Sequence, residues 1–92
     1  MVLIYCLECK NKNIYVGYTK NKKNRFSKHK NDLKKNRKSK LYSLLRKLKV
    51  NAKNFDEKVK IHILDKVPKK YQTEAEKFYI KLLKTEKLGN SI

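Results

Sequence analysis

The chain has 92 residues and a formal net charge of +18, with 26 lysines and arginines against 8 acidic residues. This length supports one small domain over residues 1–92, complete or a fragment of a longer protein, and the 39% hydrophobic content indicates that it folds. The charge indicates a polyanionic partner, most simply a nucleic acid. We expect no membrane partner, because tryptophan is absent and no apolar run could span a bilayer.

Cys6 and Cys9 form a C-x-x-C pair in a segment predicted as a strand running into a turn. A structural zinc site needs four ligands, and the chain has no third cysteine. Residues three apart on a strand point to opposite faces, so a disulfide between them would be strained. We therefore expect one buried thiol, one incidental thiol and an intracellular location, in the cytoplasm or the nucleus.

Two β-branched and aromatic runs open the chain, over residues 2–8 and 13–18, with a polar cluster between them. This pattern predicts a β-hairpin. With its loop centred on Lys10, Tyr5 and Tyr15 would face each other across the two strands.

Two helices are predicted after the hairpin. Asn24 is the expected N-cap of a mostly charged helix over residues 25–36. Residues 41–50 carry leucines at the spacing of a core stripe and predict a second helix. A loop is expected over residues 51–56.

A third strand and a last helix complete the prediction. Residues 58–65 alternate, with Val59, Ile61 and Ile63 on the apolar side of a half-buried strand. The last helix begins at Gln72 or Thr73, and Gly89 marks its end or the turn beyond it. Its predicted buried stripe is Ala75, Phe78, Tyr79, Leu82 and Leu83. The order β-β-α-α-β-α predicts an α/β fold, a small three-stranded antiparallel sheet flanked by three helices.

Three side chains stand out as candidates for chemistry. Arg25 and His29 are four apart, so on a helix they lie on one face, where they could bind a phosphate and orient a proton. A solvated basic helix is the alternative. Glu76 lies at the edge of the apolar stripe of the last helix, where burial penalises a bare carboxylate. A divalent metal, or an ion pair with lysine or arginine, would compensate its charge.

Five motifs then occur in order along essentially the whole chain: Leu3-Ile4-Tyr5, Tyr15-Val16-Gly17, Arg25-x-x-x-His29, Glu76-Lys-Phe-Tyr-Ile-Lys and Gly89-Asn90. Their order and spacing resemble the GIY-YIG nuclease domain, nearest the catalytic modules of GIY-YIG homing endonucleases. Three departures are visible, and one is that Tyr18 follows Gly17, where repair-type members tend to carry lysine. Leu3 stands where the motif has glycine, and the second histidine of some homing enzymes has no counterpart.

The resemblance implies a DNA endonuclease that hydrolyses phosphodiester bonds with one divalent ion, Mg²⁺ or Mn²⁺, and no small-molecule cofactor. Glu76 would be the only protein ligand of that ion. Tyr5 would be the general base, acting in step with the attack or as a phenolate whose pKa nearby cations lower. Arg25 would neutralise charge developing at phosphorus, and His29 and Tyr15 would hydrogen-bond the nucleophile or the scissile phosphate.

Contacts with the DNA backbone are expected from the basic segment from Lys28 to Lys40 and from two residues near the site. Gly17 would admit close backbone or substrate approach, and Asn90 would fix the C-terminal turn or touch a phosphate. The basic candidates are Lys28, Lys30, Lys34, Lys35, Arg37, Lys38 and Lys40.

Two other functions remain open from the sequence. One is a non-catalytic nucleic-acid-binding module that keeps the fold and the charge, and the other is structure-selective incision of branched DNA. The target sequence, the number of strands cut and the oligomeric state are not encoded in any recognisable pattern.

Overall fold

The computed structural model describes residues 1–35 and 38–90, which form an α/β fold on a three-stranded antiparallel sheet. The strands are β1 (Val2–Cys9), β2 (Lys12–Thr19) and β3 (Val59–Val67), and the helices are α1 (Lys22–Lys34), α2 (Lys40–Lys47), α3 (Phe55–Lys58) and α4 (Gln72–Leu83). Short 3₁₀ turns at Lys69–Tyr71 and Thr85–Lys87 flank α4. The predicted fold class and element order are confirmed, but the described residues contain four α-helices where three were predicted.

The additional helix, α3, begins inside the loop predicted over residues 51–56. The side chains of Asn51 and Asn54 each accept the other's backbone N–H, at 3.0 and 2.8 Å. The Asn54 carbonyl then accepts the N–H of Lys58 at 3.0 Å, and the Phe55 side chain is fully buried. A single helical turn is too short to show a hydrophobic period, so the sequence pattern could not reveal it.

The sheet has the order β2-β1-β3, with β1 in the centre. The predicted hairpin is present, but its loop is the two-residue segment 10–11, where both residues have positive φ, and a bulge near Leu7 shifts the register further. Tyr5 therefore lies opposite Gly17, and Tyr15 lies opposite Leu7. The prediction that the two tyrosines face each other directly is wrong. They still share one face, because the total offset is two residues and strand side chains alternate.

Each face of the sheet has its own hydrophobic core. The core beneath α1, α2 and α3 contains Tyr5, Leu7, Cys9, Ile14, Leu33, Leu41, Tyr42, Leu45, Val50, Phe55 and Val59. The core beneath α4 contains Ile4, Cys6, Val16 and Ile80. The domain is therefore a sandwich with the sheet as its middle layer.

The two cysteines lie on opposite faces of β1, as the strand geometry predicts. Cys6 belongs to the core beneath α4 and Cys9 to the other core, and both are free thiols. The expectation that one of them is incidental is wrong, because both side chains are buried. Each serves as a small apolar residue in a different core.

Helix α1 begins three residues earlier than predicted. Asn21, and not Asn24, is its N-cap, because the Asn21 side chain accepts the N–H of Asn24 at 3.0 Å. An N-cap side chain satisfies an N–H about three residues further along, so Asn24 occupies the position that needs the cap. Ser39 caps α2 in the same way, through the N–H of Tyr42 at 3.2 Å.

Strand β3 keeps only part of its predicted alternation. Val59 is buried and Ile61 packs against the same core, but Ile63 is 41% exposed. The register against β1 shifts between Ile4 and Tyr5, so β3 carries one extra residue there.

Helix α4 begins at Gln72, one of the two predicted positions, but its buried side is narrower than predicted. Phe78 and Leu82 are each 59% exposed, so their assignment to the core was wrong. Ile80 is buried, with Ala75, Tyr79 and Leu83 partly buried against the same core. The five predicted apolar positions spread over more of the helix surface than one sheet face can cover.

Lys84 ends α4, and Gly89 lies beyond the following 3₁₀ turn. Lys84 has a left-handed conformation (φ 56°, ψ 41°), and its N–H bonds to the Ile80 carbonyl. Gly89 donates its N–H to the Ile14 carbonyl at 2.7 Å, and a Cβ on it would come within 2.5 Å of that oxygen. Gly89 is therefore required for close packing against β2. No helix in the described ranges is long and apolar enough to cross a membrane.

The left-handed C-cap gives a test of the helix boundary. Lys84→Gly should raise the free energy of unfolding by about 0.5–1 kcal/mol, because glycine adopts this conformation without the Cβ penalty. Lys81→Gly, in the last turn of α4, is the control and should lower it by about 1 kcal/mol. Urea unfolding measures both. A loss of stability in both variants would contradict the left-handed cap.

Candidate active site

A cleft of about 580 Å³ opens at the outer edge of the sheet, beside β2. Tyr15 from β2, His29 from α1 and Glu76 from α4 all line it. These residues are far apart in the sequence, and they meet because β2 is an edge strand with helices on both of its faces. The other lining residues are Ser39, Lys40, Leu41, Tyr42, Lys77, Ile80, Gly89 and Asn90.

Tyr5 and His29 form the inner part of the site. The Tyr5 hydroxyl lies 2.6 Å from His29 Nε2, and both side chains are buried. The Tyr15 ring packs against both of them, with centroid distances of 6.1 Å to Tyr5 and 5.6 Å to His29. The three rings therefore form one aromatic cluster beside the cleft.

The hydrogen bonds continue from His29 to two residues that the sequence reasoning missed. His29 Nδ1 lies 2.9 Å from the Tyr42 hydroxyl, and that hydroxyl donates to Asp32 Oδ2 at 3.3 Å. We call the series Tyr5–His29–Tyr42–Asp32 the hydrogen-bond chain. One signal in the sequence could have indicated Asp32, since it follows His29 by three residues on a helix. Tyr42 directly follows the predicted core residue Leu41, so the sequence pattern there does not indicate that its hydroxyl forms hydrogen bonds.

Burial controls the ionisation of this cluster. It raises the pKa of Tyr5 and of Tyr42 well above the usual 10.0 of a phenol, and the opposing effect of the Arg25 charge is smaller. Burial and the Arg25 charge lower the pKa of His29 to about 4. Tyr5 is therefore a neutral phenol and His29 a neutral imidazole near pH 7. The expected lowering of the Tyr5 pKa by cations is outweighed by burial.

Arg25 lies close enough to the cluster to lower the pKa of Tyr5, Tyr15 and His29. It is half-buried on α1, one turn before His29. Within the part of the chain that the structure describes, its guanidinium has no hydrogen bond or ion pair. A cation in this position can bind an anion that enters the cleft.

Glu76 is a half-buried carboxylate in the cleft, and burial raises its pKa. Its charge in turn raises the pKa of Tyr15, which places the carboxylate near that phenol. The ion pair considered as an alternative is absent among the described residues. The carboxylate oxygens therefore remain able to bind a cation.

The donor set fits a divalent ion that retains most of its water ligands. The described residues contain no group of three or more His, Cys, Asp or Glu side chains that could enclose a metal. Mg²⁺ binds through one or two carboxylates together with water and phosphate oxygens, and does not need such an enclosure. One unpaired carboxylate in an open cleft fits that mode of binding.

Gly17 lies beneath the tyrosines. A Cβ on it would come within 2.6 Å of the Tyr5 hydroxyl and within 2.8 Å of the Tyr15 ring. Glycine is therefore needed here for the phenol of Tyr5 to reach His29.

This contact predicts a large effect of one methyl group. Gly17→Ala should push the Tyr5 ring away from His29 and destabilise the fold by about 1–3 kcal/mol, as overpacking does. The loss of stability is measured by thermal unfolding, and a shift in the ring resonances of Tyr5 reports the displacement. Thr19→Ala, on the same strand, is the control and should leave those resonances in place. Unchanged Tyr5 resonances in Gly17→Ala would contradict the predicted contact.

Asn90 fixes the C-terminal segment to the edge of the sheet. Its side chain accepts the N–H of Val16 and donates to the Val16 carbonyl, each at 2.8 Å. The Thr85 hydroxyl also donates to its side-chain oxygen, at 2.7 Å. The amide thus completes the outer edge of β2 as a neighbouring strand would.

Some of the predicted DNA-contact lysines line two different grooves. Lys40 lines the active-site cleft and also contacts the Glu86 carbonyl, whereas Lys30 and Lys34 line a second groove. Lys30 forms an exposed ion pair with Asp56 at 3.0 Å. Exposed members of the set are Lys28, Lys34, Lys35, Lys38 and Lys40, while Arg37 lies outside the described residues. Lys77 adds a cation to the cleft that was not predicted.

The fold and the cleft together define a class: a small basic α/β domain in which a phenol, an imidazole and a carboxylate line one cleft and a guanidinium acts on the same rings. The GIY-YIG catalytic domain model matches residues 1–89, which is nearly the whole chain. The chain therefore belongs to the GIY-YIG family, a family of nucleases that act on DNA. No curated protein and no solved structure gives a significant match to it.

Proposed function

We propose that this domain is a metal-dependent DNA endonuclease that hydrolyses phosphodiester bonds with one divalent ion. The observation that carries the proposal is the convergence of Tyr15, His29 and Glu76 on one cleft, from three elements. Tyr5 is hydrogen-bonded behind them, and Arg25 acts on the same rings electrostatically. Membership of a nuclease family supports this use of the cleft.

Glu76 is the proposed protein ligand of Mg²⁺ or Mn²⁺. Water and phosphate oxygens would complete the coordination shell, as Mg²⁺ prefers. When bound, the ion would supply Lewis-acid stabilisation of charge on the phosphate. The proposal includes only one ion, because a second would need more carboxylates than the described residues bring together.

Tyr5 is the proposed general base, and it acts as a neutral phenol. Its raised pKa argues against a preformed phenolate, so the proton must move in step with the attack. As a water attacks phosphorus, one of its protons passes to the Tyr5 oxygen while the Tyr5 proton passes to His29 Nε2, 2.6 Å away. Tyr5 is only 1% exposed, so that water must approach its hydroxyl through the cleft that Tyr15 lines.

Arg25 is the proposed stabiliser of charge developing at phosphorus. Its half-buried position strengthens the interaction, since electrostatic effects are larger away from bulk water. Tyr15 would position the scissile phosphate or the attacking water from the wall of the cleft.

The lysines are proposed to hold the phosphate backbone without reading its sequence. A net charge of +18 predicts an affinity that falls steeply with rising salt, because the counterions that binding releases from DNA are released less favourably at high salt. The set comprises Lys28, Lys30, Lys34, Lys35, Lys38 and Lys40, with Arg37, Gly17 and Asn90 as further expected contacts.

Plasmid cleavage in Mg²⁺ or Mn²⁺ tests the proposal, with wild type beside Glu76→Ala and Arg25→Ala. We expect wild type to nick or linearise the plasmid and both variants to be at least about 100-fold slower. Thermal unfolding checks that each variant folds. Equal cleavage by all three proteins would refute the assignment. Salt-sensitive binding without nicking in any divalent ion would instead favour a non-catalytic binding module.

Labelled flap, fork and plain duplex substrates determine whether the enzyme selects branched DNA. A rate that is higher on flap or fork substrates would support structure-selective incision. Equal rates on all three would exclude structure-selective incision.

A further inference from the structure

We propose that Asp32, acting through Tyr42, sets the direction of the hydrogen-bond chain so that Tyr5 can accept a proton from water. This inference rests on the proposed function and adds two positioning residues to it. Neither residue is expected to touch the substrate. Their effect would reach the reacting atoms only through His29 and Tyr5.

The direction follows from the chemistry of Asp32, the last group named in the hydrogen-bond chain. An ionised carboxylate can only accept hydrogen bonds. The Tyr42 hydroxyl, which has a single proton, must therefore donate it in the hydrogen bond to Asp32, 3.3 Å away. The Tyr42 oxygen must then accept at its contact with His29 Nδ1, 2.9 Å away. His29 Nδ1 therefore carries the ring proton.

This assignment determines the role of the other ring nitrogen. With the proton on Nδ1 and the ring neutral, His29 Nε2 has a lone pair and accepts the hydroxyl proton of Tyr5 at 2.6 Å. The Tyr5 oxygen then keeps its own lone pairs for a proton from water. In the opposite tautomer, Nε2–H would donate to that oxygen, and Tyr5 could no longer pass its proton to His29.

The step balances through two linked proton transfers, from water to Tyr5 and from Tyr5 to His29. The water O–H bond breaks, its proton bonds to the Tyr5 oxygen, and the former Tyr5 proton bonds to His29 Nε2. The water oxygen forms its new bond to phosphorus as the bond from phosphorus to the leaving oxygen breaks. The leaving oxygen keeps the electron pair of that bond and takes a proton from solvent. The imidazolium that results lies in a chain ending at a carboxylate, which favours its charge; the proton returns to solvent after cleavage.

The surroundings of the hydrogen-bond chain support the proposed role of Asp32 in setting its direction. His29 and Tyr42 are both buried, so little solvent competes with the hydrogen bond between them. The Asp32 charge raises the pKa of His29, opposing burial and the Arg25 and Lys28 charges. Asp32 thus offsets part of the penalty on a protonated imidazole.

Tyr42→Phe and Asp32→Asn test the proposal, because each removes the acceptor-only end of the chain with little change in shape. We expect kcat for plasmid cleavage in Mg²⁺ to fall about 10- to 100-fold, with KM nearly unchanged, as for other groups that orient a catalytic histidine. Asp32→Glu retains an acceptor-only group and should recover part of the rate. This recovery separates the directional role from simple loss of packing.

The structure offers a matched control pair away from the cleft. Tyr79 donates to Asp65 Oδ2 at 3.1 Å, the same kind of contact on an exposed surface. Tyr79→Phe and Asp65→Asn should leave both the cleavage rate and the His29 tautomer unchanged.

Nitrogen-15 NMR of histidine-labelled protein reads the tautomer directly and needs neither metal nor DNA. We expect Nδ1–H in wild type and a shift toward Nε2–H in Tyr42→Phe and Asp32→Asn. Nε2–H in wild type, or full kcat with unchanged Nδ1–H in both variants, would overturn the proposal. If wild type cuts no DNA, the proposed function fails, while the NMR result still decides whether Asp32 sets the direction of the chain.

Discussion

Glu76→Gln is expected to reduce metal-dependent DNA cleavage by about 1,000-fold or more while making the folded protein more stable at pH values above the folded-state pKa of Glu76. The loss of activity follows because the amide is a much weaker ligand for Mg²⁺, and metal stabilisation of transition-state charge is worth several kcal/mol. The gain in stability follows because burial penalises the charged carboxylate. Glu74→Gln, an exposed position on the same helix, is the matched control and should change neither property.

The stability effect of Glu76 has a defined dependence on pH. Its pKa is raised in the folded state, so between the unfolded and the folded pKa the folded protein binds more protons. Stability therefore falls as pH rises through this window above the usual 4.5, and the penalty is complete above the folded pKa. Glu76→Gln should remove this part of the pH dependence, which thermal unfolding from pH 4 to pH 8 measures.

Metal binding gives a second measurement on the same variant. Added Mg²⁺ or Mn²⁺ should raise the unfolding temperature of wild type and of Glu74→Gln, because a ligand that binds only the folded state stabilises it. The unfolding temperature of Glu76→Gln should not respond. A Mg²⁺-dependent rise in Glu76→Gln equal to that of wild type would rule out Glu76 as the ligand.

Tyr5→Phe is expected to slow cleavage by about 100- to 10,000-fold, the range for loss of a general acid–base group. Tyr15→Phe should have a smaller effect, because Tyr15 is proposed to position the phosphate and not to move the proton. Tyr18→Phe is the control, since Tyr18 lies on the same strand and is exposed. Single-turnover cleavage of a labelled duplex measures the chemical step in all three.

The two phenol variants also separate the possible bases. Full activity in Tyr5→Phe together with loss in Tyr15→Phe would transfer the role of base to Tyr15, which lines the cleft directly. Tyr5→Phe also leaves His29 Nε2 without its partner, so it should cost about 1–3 kcal/mol of stability. Rates should therefore be compared well below the unfolding temperature of the variant.

Much of the fold could be predicted because the local patterns are strong. The runs that form β1, β2 and β3, the leucine stripe of α2 and the start of α4 each follow from residues near in sequence. The errors occur where local pattern is weak or ambiguous. Phe78 and Leu82 fit a helical stripe but lie outside the contact with the sheet, and α3 is too short to show any period.

The residues of the site were predicted more completely than the hydrogen bonds between them. Arg25, His29 and Glu76 can be chosen from spacing and apolar context, and the structure brings His29 and Glu76 to one cleft. Tyr42 and Asp32 could not be chosen, because their roles depend on contacts between two helices that have no fixed separation in the sequence.

Local side-chain patterns were sufficient to predict the element order, the basic charge and the residues able to carry phosphate chemistry. The ionisation and the partners of those residues depend instead on the packing of the folded domain. Burial outweighs the Arg25 charge at Tyr5, and the hairpin bulge places Gly17, and not Tyr15, opposite that phenol. Both results depend on how distant segments pack, since desolvation and register are properties of the assembled sheet and helices.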